Sequence, residues 1–238
     1  QIKAVPSSWL ENNGRRLDCG PYMSGALEAR ELLRKHITEP LSKVTSEIYH
    51  AGRESRIWVD SPEHGVPFMG STDILAMDLS CLPLISKKQI ASNPKFSIGK
   101  GWTLITRSGT VGRMAFARSD MDGVACSEHV MRVVPNESSI KPGYLYAYLS
   151  SRFGVPIVVS GTYGAIIQHI EPDHISGLPV PRLGDVEERA HNLVEKASEL
   201  RLEAAKQIQN ASLRFLSAAG IEDISAYDWI QRSGRIGF

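Results

Sequence analysis

A chain of 238 residues with 42% hydrophobic and 22% charged content can fill one sizeable core and falls outside the disordered and collagen-like classes. Its longest apolar runs, such as residues 155–159, stop far short of the roughly 20 residues that span a bilayer, so no membrane partner is expected. The formal net charge of +1 gives no whole-molecule field for a polyanion, and any case for nucleic acid rests on local charge.

Cys19, Cys81 and Cys126 are odd in number and far apart, which argues against a disulfide framework and fits a reducing compartment. The chain opens at Gln1 without a cationic-then-apolar leader, so a cytoplasmic location is the expectation. Ala26, Ala29, Leu33 and Ile37 share one face of a helix expected over about residues 24–38, which Pro40 ends. From about residue 66 to 134, short runs of Val, Ile, Phe and Thr broken by Gly, Pro, Asn and Asp predict a compact set of strands alternating between core and surface.

Pro142 opens a short helix to about residue 151, with Leu145 and Leu149 on one face, and an irregular segment runs to Pro181. At Asp185, with Glu188 three residues on, a capping box opens a helix free of Pro and Gly until Gly220. Ala190, Leu193, Ala197, Leu200, Ala204 and Ala211 follow a three-four spacing along it, with most charges off that seam. So narrow a seam calls for a partner helix, and about 35 residues at 1.5 Å each make a rod of roughly 50 Å. The helix reads as a protruding spacer and assembly element; the alternative is a terminal helix folded back on its own core.

The fold class is therefore α+β. Residues 1–182 form a globular mixed strand-helix domain and 183–220 the coiled-coil-like helix. Residues 221–238 begin a second, truncated domain, because Trp229-Ile230-Gln231-Arg232-Ser233-Gly234-Arg235 echoes Trp9-Leu10-Glu11-Asn12-Asn13-Gly14-Arg15.

Between residues 87 and 118 stand seven cations, Lys87, Lys88, Lys95, Lys100, Arg107, Arg113 and Arg118, and no Asp or Glu. A duplex rewards such a patch through counterion release, and arginine can pair bidentately with guanine; the bland alternative is a set of solvated strand positions. Thr106-Arg107-Ser108-Gly109-Thr110-Val111-Gly112-Arg113 joins two arginines, three hydroxyls and two glycines in what reads as a tight turn open to a polyanion. Ser160-Gly161-Thr162-Tyr163-Gly164 repeats its Ser-Gly-Thr core, with Gln168 and His169 close behind to read or stack on bases. Both segments also fit ordinary structural turns.

Catalytic motifs are missing. Gly99-Lys100 is followed by Gly101, so there is no phosphate loop. Ser127, Glu128 and His129 hint at a hydrolase, but neighbours on a strand point to opposite faces and make no triad by themselves. His169 and His174 lack the company of a zinc site, so no metal is expected. No glutamate is followed two residues later by the lysine of a nuclease.

Several stretches in order resemble one family. They are Arg16-Leu17-Asp18 with Tyr22; Val66-Pro67-Phe68 leading to Ser71-Thr72-Asp73-Ile74; residues 107–112; Ser127-Glu128-His129 before the strand at 130–134; Tyr144-Leu145-Tyr146-Ala147-Tyr148-Leu149; and Gly161-Thr162 leading to Ile175 and Leu178-Pro179-Val180-Pro181. Together they resemble the Type I restriction-modification specificity (S, HsdS) subunits and their Type IIB and IIG relatives, over almost the whole chain. Residues 1–182 then look like the N-terminal target recognition domain and 183–220 like the first conserved spacer; Gly184-Asp185-Val186-Glu187-Glu188 departs from the glutamate-glutamine pair with which many members start that helix.

The resemblance implies a non-catalytic subunit with two recognition domains on an antiparallel helix pair, each reading half of a split double-stranded DNA target. Methyltransferase subunits carrying S-adenosylmethionine would dock on the helices and flip the target adenine, nuclease-translocase subunits would join for restriction, and this chain would hold no cofactor. The expected DNA contacts are Lys87, Lys88, Arg107 and Arg113, then Thr72, Ser108, Thr110, Tyr163 and Gln168. Two copies of this chain can also pair through the helix seam. The rivals are a Type IIB or IIG specificity domain, an enzyme using Ser127 and His129, and a protein-binding scaffold.

Overall fold

The computed structural model describes residues 4–12, 15, 17, 19–162 and 168–221. At its centre lies β9 (Val130–Pro135), flanked by β2 (Thr45–His50) and β6 (Thr103–Thr106), with β7 (Met114–Phe116) beyond β6; every pairing in this sheet is antiparallel. The expected alternation between core and surface gives way to burial on both faces of β6 and β9, which marks a sheet covered on each side. Ile105, Met131 and Val133 join one core, and Leu104 and Val130 join another.

Arg132 falls on the Leu104 side by register. It is fully buried, and its two Nη atoms donate to the carbonyls of Ser127, Val130, Phe96 and Cys126. Burial pulls the guanidinium down from its ordinary pKa, against the raising influence of Cys126, Tyr49 and Glu128. A cation without water survives here because the carbonyl dipoles replace the solvent.

A second sheet runs β3 (Trp58–Val59), β5 (Leu84–Ser86), β4 (Gly65–Met69), β8 (Ala125–Cys126), with β4 and β8 parallel. Phe68, Ile85, Phe96 and Ala125 fill a small core behind it. On the opposite side of the first sheet lie α3 (Ala26–Leu33), α6 (Pro142–Leu149), α7 (Gly154–Val159) and α8 (Pro172–Ser176). The first of these is shorter than the periodicity predicts. Thr38–Pro40 (β1) pairs with Pro179–Pro181 (β10), and this ladder draws the chain out of the helix, leaving Ile37 78% exposed.

On α6, Tyr144 and Tyr148 lie four apart and donate their hydroxyls to the carbonyls of Pro181 and Pro179, tying the helix to β10. Burial pushes both phenols up from their usual pKa, so both remain donors.

The long helix, α9 (Asp185–Ala218), runs 34 residues, about 50 Å at the standard rise. Its start differs from the expected Asp185–Glu188 box. Gly184 occupies the cap with φ 58°, and Glu187 at the third helical position reaches back to the Leu183 N–H at 2.8 Å. Glu187 also takes a two-pronged ion pair from Arg182, whose other nitrogen holds Glu39 of β1. Glu188 turns outward to Lys141. Gly143 brings α6 and α9 into backbone contact: a Cβ there would lie 2.9 Å from the His191 Cα, and its N–H donates to His191 Nδ1.

Glu187, His191, Val194, Ser198, Leu202, Ala205 and Gln209 face the domain along six turns, and Gln209 closes that contact on Asp78 at 2.7 Å. Past Gln209 the helix is exposed apart from Leu216. It is thus docked over its first two thirds and projects over the last. The expected second unit at 221–238 lies, save for Ile221, outside the described residues, as do Asn13, Gly14, Arg16 and Asp18.

Candidate nucleic-acid interface

The turn between β6 and β7 is built for close approach. Gly109 and Gly112 take φ of 75° and 85°, which a side chain would strain, and a Cβ on Gly112 would strike Val159 at 2.5 Å. Thr106 locks the turn by donating its hydroxyl to the Thr110 carbonyl and accepting the Arg113 N–H. Gly109, Thr110 and Arg113 are exposed, and among the described residues no group pairs with the Arg113 guanidinium.

Arg107 and Ser108, from the same turn, point the other way. The Arg107 side chain is 12% exposed and sits 2.5 Å from Glu171, with Nε donating to the Ile170 carbonyl. Its N–H donates to the His129 carbonyl, and its own carbonyl accepts from Ile170. Ser108 is buried, bridges His169, and lies 2.5 Å from His129 Nδ1. These two residues join three loops: the β6–β7 turn, residues 127–129 and residues 168–171. Arg107 is therefore placed to position the loops rather than to meet a phosphate.

The other expected contacts divide in the same way. Lys87 and Lys88 open α5 (Lys87–Ser92) and are exposed, with Lys87 Nζ donating to the Glu63 carbonyl. Thr72 is exposed beside Asp73, and Gln168 is exposed while its carbonyl accepts from Gly109. Tyr163 lies outside the described residues. Of the remaining cations, Lys95 stands 5.7 Å over the Tyr49 ring and Lys100 lies 3.8 Å from Glu195 of α9. Arg118 is buried on Asp120 and the carbonyls of Ala76 and Met77. The charge run of residues 87–118 is thus no single surface, because Arg107 and Arg118 are consumed internally.

Sequence reasoning missed a polar cavity of about 680 Å³ lined by residues 53–56, Trp58, Glu128 and His129. Buried Gln89 of α5 shapes it, donating to the Ser55 carbonyl and accepting the Ile57 N–H, so this irregular segment is held at both ends of a short clamp. Arg56 pairs with Glu128 at 2.8 Å and stacks over Phe68, while among the described residues nothing pairs with the exposed Arg53. Burial raises the Glu128 carboxyl, but a backbone hydrogen bond, Arg56 and His129 together hold it below its usual pKa. The signal available in the sequence was Arg53-Glu54-Ser55-Arg56 itself, four polar residues without periodicity.

His129 thus has Ser108 on Nδ1 and Glu128 Oε1 at 3.5 Å from Nε2. The hydroxyl is that of Ser108, not Ser127 as the hydrolase alternative requires, and its burial denies a substrate access. The trio works as a latch between the turn and the cavity.

The seam on α9 is open. Leu193 and Leu200 are 73% and 58% exposed, Ala197 and Ala211 are exposed, and Ala190 and Ala204 are half-buried. Val186, Ile208 and Phe215 extend the same stripe. Among the described residues no three His, Cys, Asp or Glu groups gather as a cation site, and no helix is long and apolar enough to cross a membrane.

No protein-family model and no curated protein sequence matches the chain. Among solved structures it is similar to the type IIG restriction endonuclease BpuSI, with 13% identity and TM-score 0.51 over 84% of this chain and 30% of that one. It is also similar to the HsdS subunit from Thermoanaerobacter tengcongensis, with 16% identity and TM-score 0.49 over 85% and 51% of the two chains. A third is the Type-I restriction-modification S subunit from M. genitalium, with 13% identity and TM-score 0.47 over 68% and 38%. The chain spans about half or less of each of these solved chains, and the likeness to BpuSI is one of fold.

Proposed function

We propose that this chain is the DNA-specificity part of a restriction-modification system, reading one half of a bipartite double-stranded target and doing no chemistry of its own. The observation that carries this reading is the loop-built polar face. Lys87, Lys88 and Arg113 present cations outward, while Arg107 and Ser108 spend their polar groups on holding three loops together. Phosphate contacts of that kind position a protein on a duplex, and neighbouring side chains then read bases. Thr72, Thr110 and Gln168 are exposed for such contacts.

In this reading residues 1–182 are the target recognition domain, 183–220 the spacer and 221–238 the start of a second domain, in the cytoplasm of a bacterium or archaeon. The open stripe on α9 pairs with a second long helix and docks methyltransferase subunits, which bring S-adenosylmethionine; restriction-translocase subunits complete the assembly. A Type IIB or IIG setting uses the same face. Where the second helix is missing, two copies of this chain pair antiparallel, which sedimentation reads directly.

A mobility-shift assay with cognate duplex and methyltransferase tests the DNA reading. Lys88→Ala combined with Arg113→Ala is expected to weaken binding about tenfold at physiological salt. Unchanged affinity would remove this face from the interface, and methyl transfer or cleavage by the chain alone would overturn the non-catalytic assignment.

A further inference from the structure

The cavity beside His129 contains an oddity for a surface that meets phosphates. Its lining includes a carboxylate, Glu128, whose side chain is only 10% exposed. A phosphate seat would exclude this group, since like charges repel at short range. The carboxylate is also immobile: Oε2 is taken by Arg56, and Oε1 keeps lone pairs beyond its 3.5 Å approach to His129.

An acceptor-only group whose Oε1 has His129 at 3.5 Å and, among the described residues, no closer hydrogen bond can still take a donor. In the major groove the donors on base edges are the cytosine N4 and adenine N6 amines. Adenine sets its amine beside the N7 acceptor, which repels a carboxylate, whereas cytosine sets its amine beside a C–H. The unpaired Arg53 on the same cavity supplies what the opposite guanine needs, a donor fork for O6 and N7.

The lysines lie next to this cavity in the fold. Lys87 and Lys88 precede Gln89, which clamps residues 55–57, and the β6–β7 turn bearing Arg113 is latched to His129 through Ser108. The elements that bear both outward cation groups are thus tied to residues lining this cavity.

We propose that Glu128 and Arg53 read one C·G base pair of the target, Glu128 accepting from the cytosine amine and Arg53 donating to guanine, while Arg56 and His129 position the carboxylate. This rests on the DNA reading above.

The test is selection of bound duplexes from a randomised pool by the full chain, comparing wild type, Glu128→Gln, Arg53→Ala and Lys88→Ala, each checked by thermal unfolding. Wild type is expected to enrich a motif containing a C·G pair. Glu128→Gln and Arg53→Ala are expected to lose about tenfold or more of the preference at that pair alone, and Lys88→Ala to weaken all sequences evenly. If Glu128→Gln does not fold, Arg53→Ala decides, since its side chain is exposed. A wild-type motif retained at every position by the folded variants overturns the inference and leaves the DNA reading standing. Loss of preference at an A·T pair overturns the assignment to cytosine. No enrichment by wild type overturns the DNA reading itself.

Discussion

Arg107 and Arg113 bracket five residues of one turn, yet the first is locked on Glu171 and the second stands in solvent. The long helix divides its residues in the same manner: Glu187 and His191 face the domain through named hydrogen bonds, and Leu193 and Leu200 face outward with none. In both regions the polar groups turned inward fix geometry, and what is left outward is available to a partner. The regions differ in what is left, charge on the loops and apolar surface on the helix, so they suit a polyanion and another helix respectively.

The severest way to break this division is at its innermost cation. Arg132→Leu keeps bulk but strands four carbonyls, and a loss of about 4 kcal/mol or more is expected in urea unfolding. A loss below 1 kcal/mol would mean the carbonyls find other partners.

Next is the anchor of α9. Arg182 and the Leu183 and Gly184 N–H groups outweigh burial and depress the Glu187 carboxyl. A folded pKa below the unfolded one adds stability that is complete above about pH 4.3 and drains away as pH falls through the folded value. Glu187→Gln should therefore cost about 1–2 kcal/mol at pH 7 and progressively less toward pH 3. An equal cost at both pH values would assign the effect to shape rather than charge.

The smallest effect on stability is expected on the outward stripe. Leu193→Glu should change unfolding by less than about 0.5 kcal/mol while abolishing self-association in sedimentation. Dissociation accompanied by a large drop in melting temperature would instead place Leu193 in the fold.

Much of this was legible in sequence because it is local. The long helix announces itself through a three-four pattern repeated from Ala190 to Ala211, about six turns, and the open seam is the one that pattern picks out. The start of that helix was misread by one residue, since Glu187 and Glu188 are equivalent until the backbone of Gly184 turns. The fate of the arginines was hidden because their partners are remote: Arg107 finds Glu171 at a separation of 64 and Arg56 finds Glu128 at 72. Burial on both faces of β9 escaped the alternation rule for a related reason. Arg132 looks like a surface residue until carbonyls from four positions converge on it.

The salt dependence of DNA binding bears on the division most directly. For wild type, log K should fall steeply with log salt, and Arg113→Ala and Lys88→Ala should each reduce the slope by about 1. Arg107→Ala should lower the melting temperature with little change in slope. A slope carried by Arg107 and indifferent to Arg113 and Lys88 would contradict the assignment of inward and outward cations.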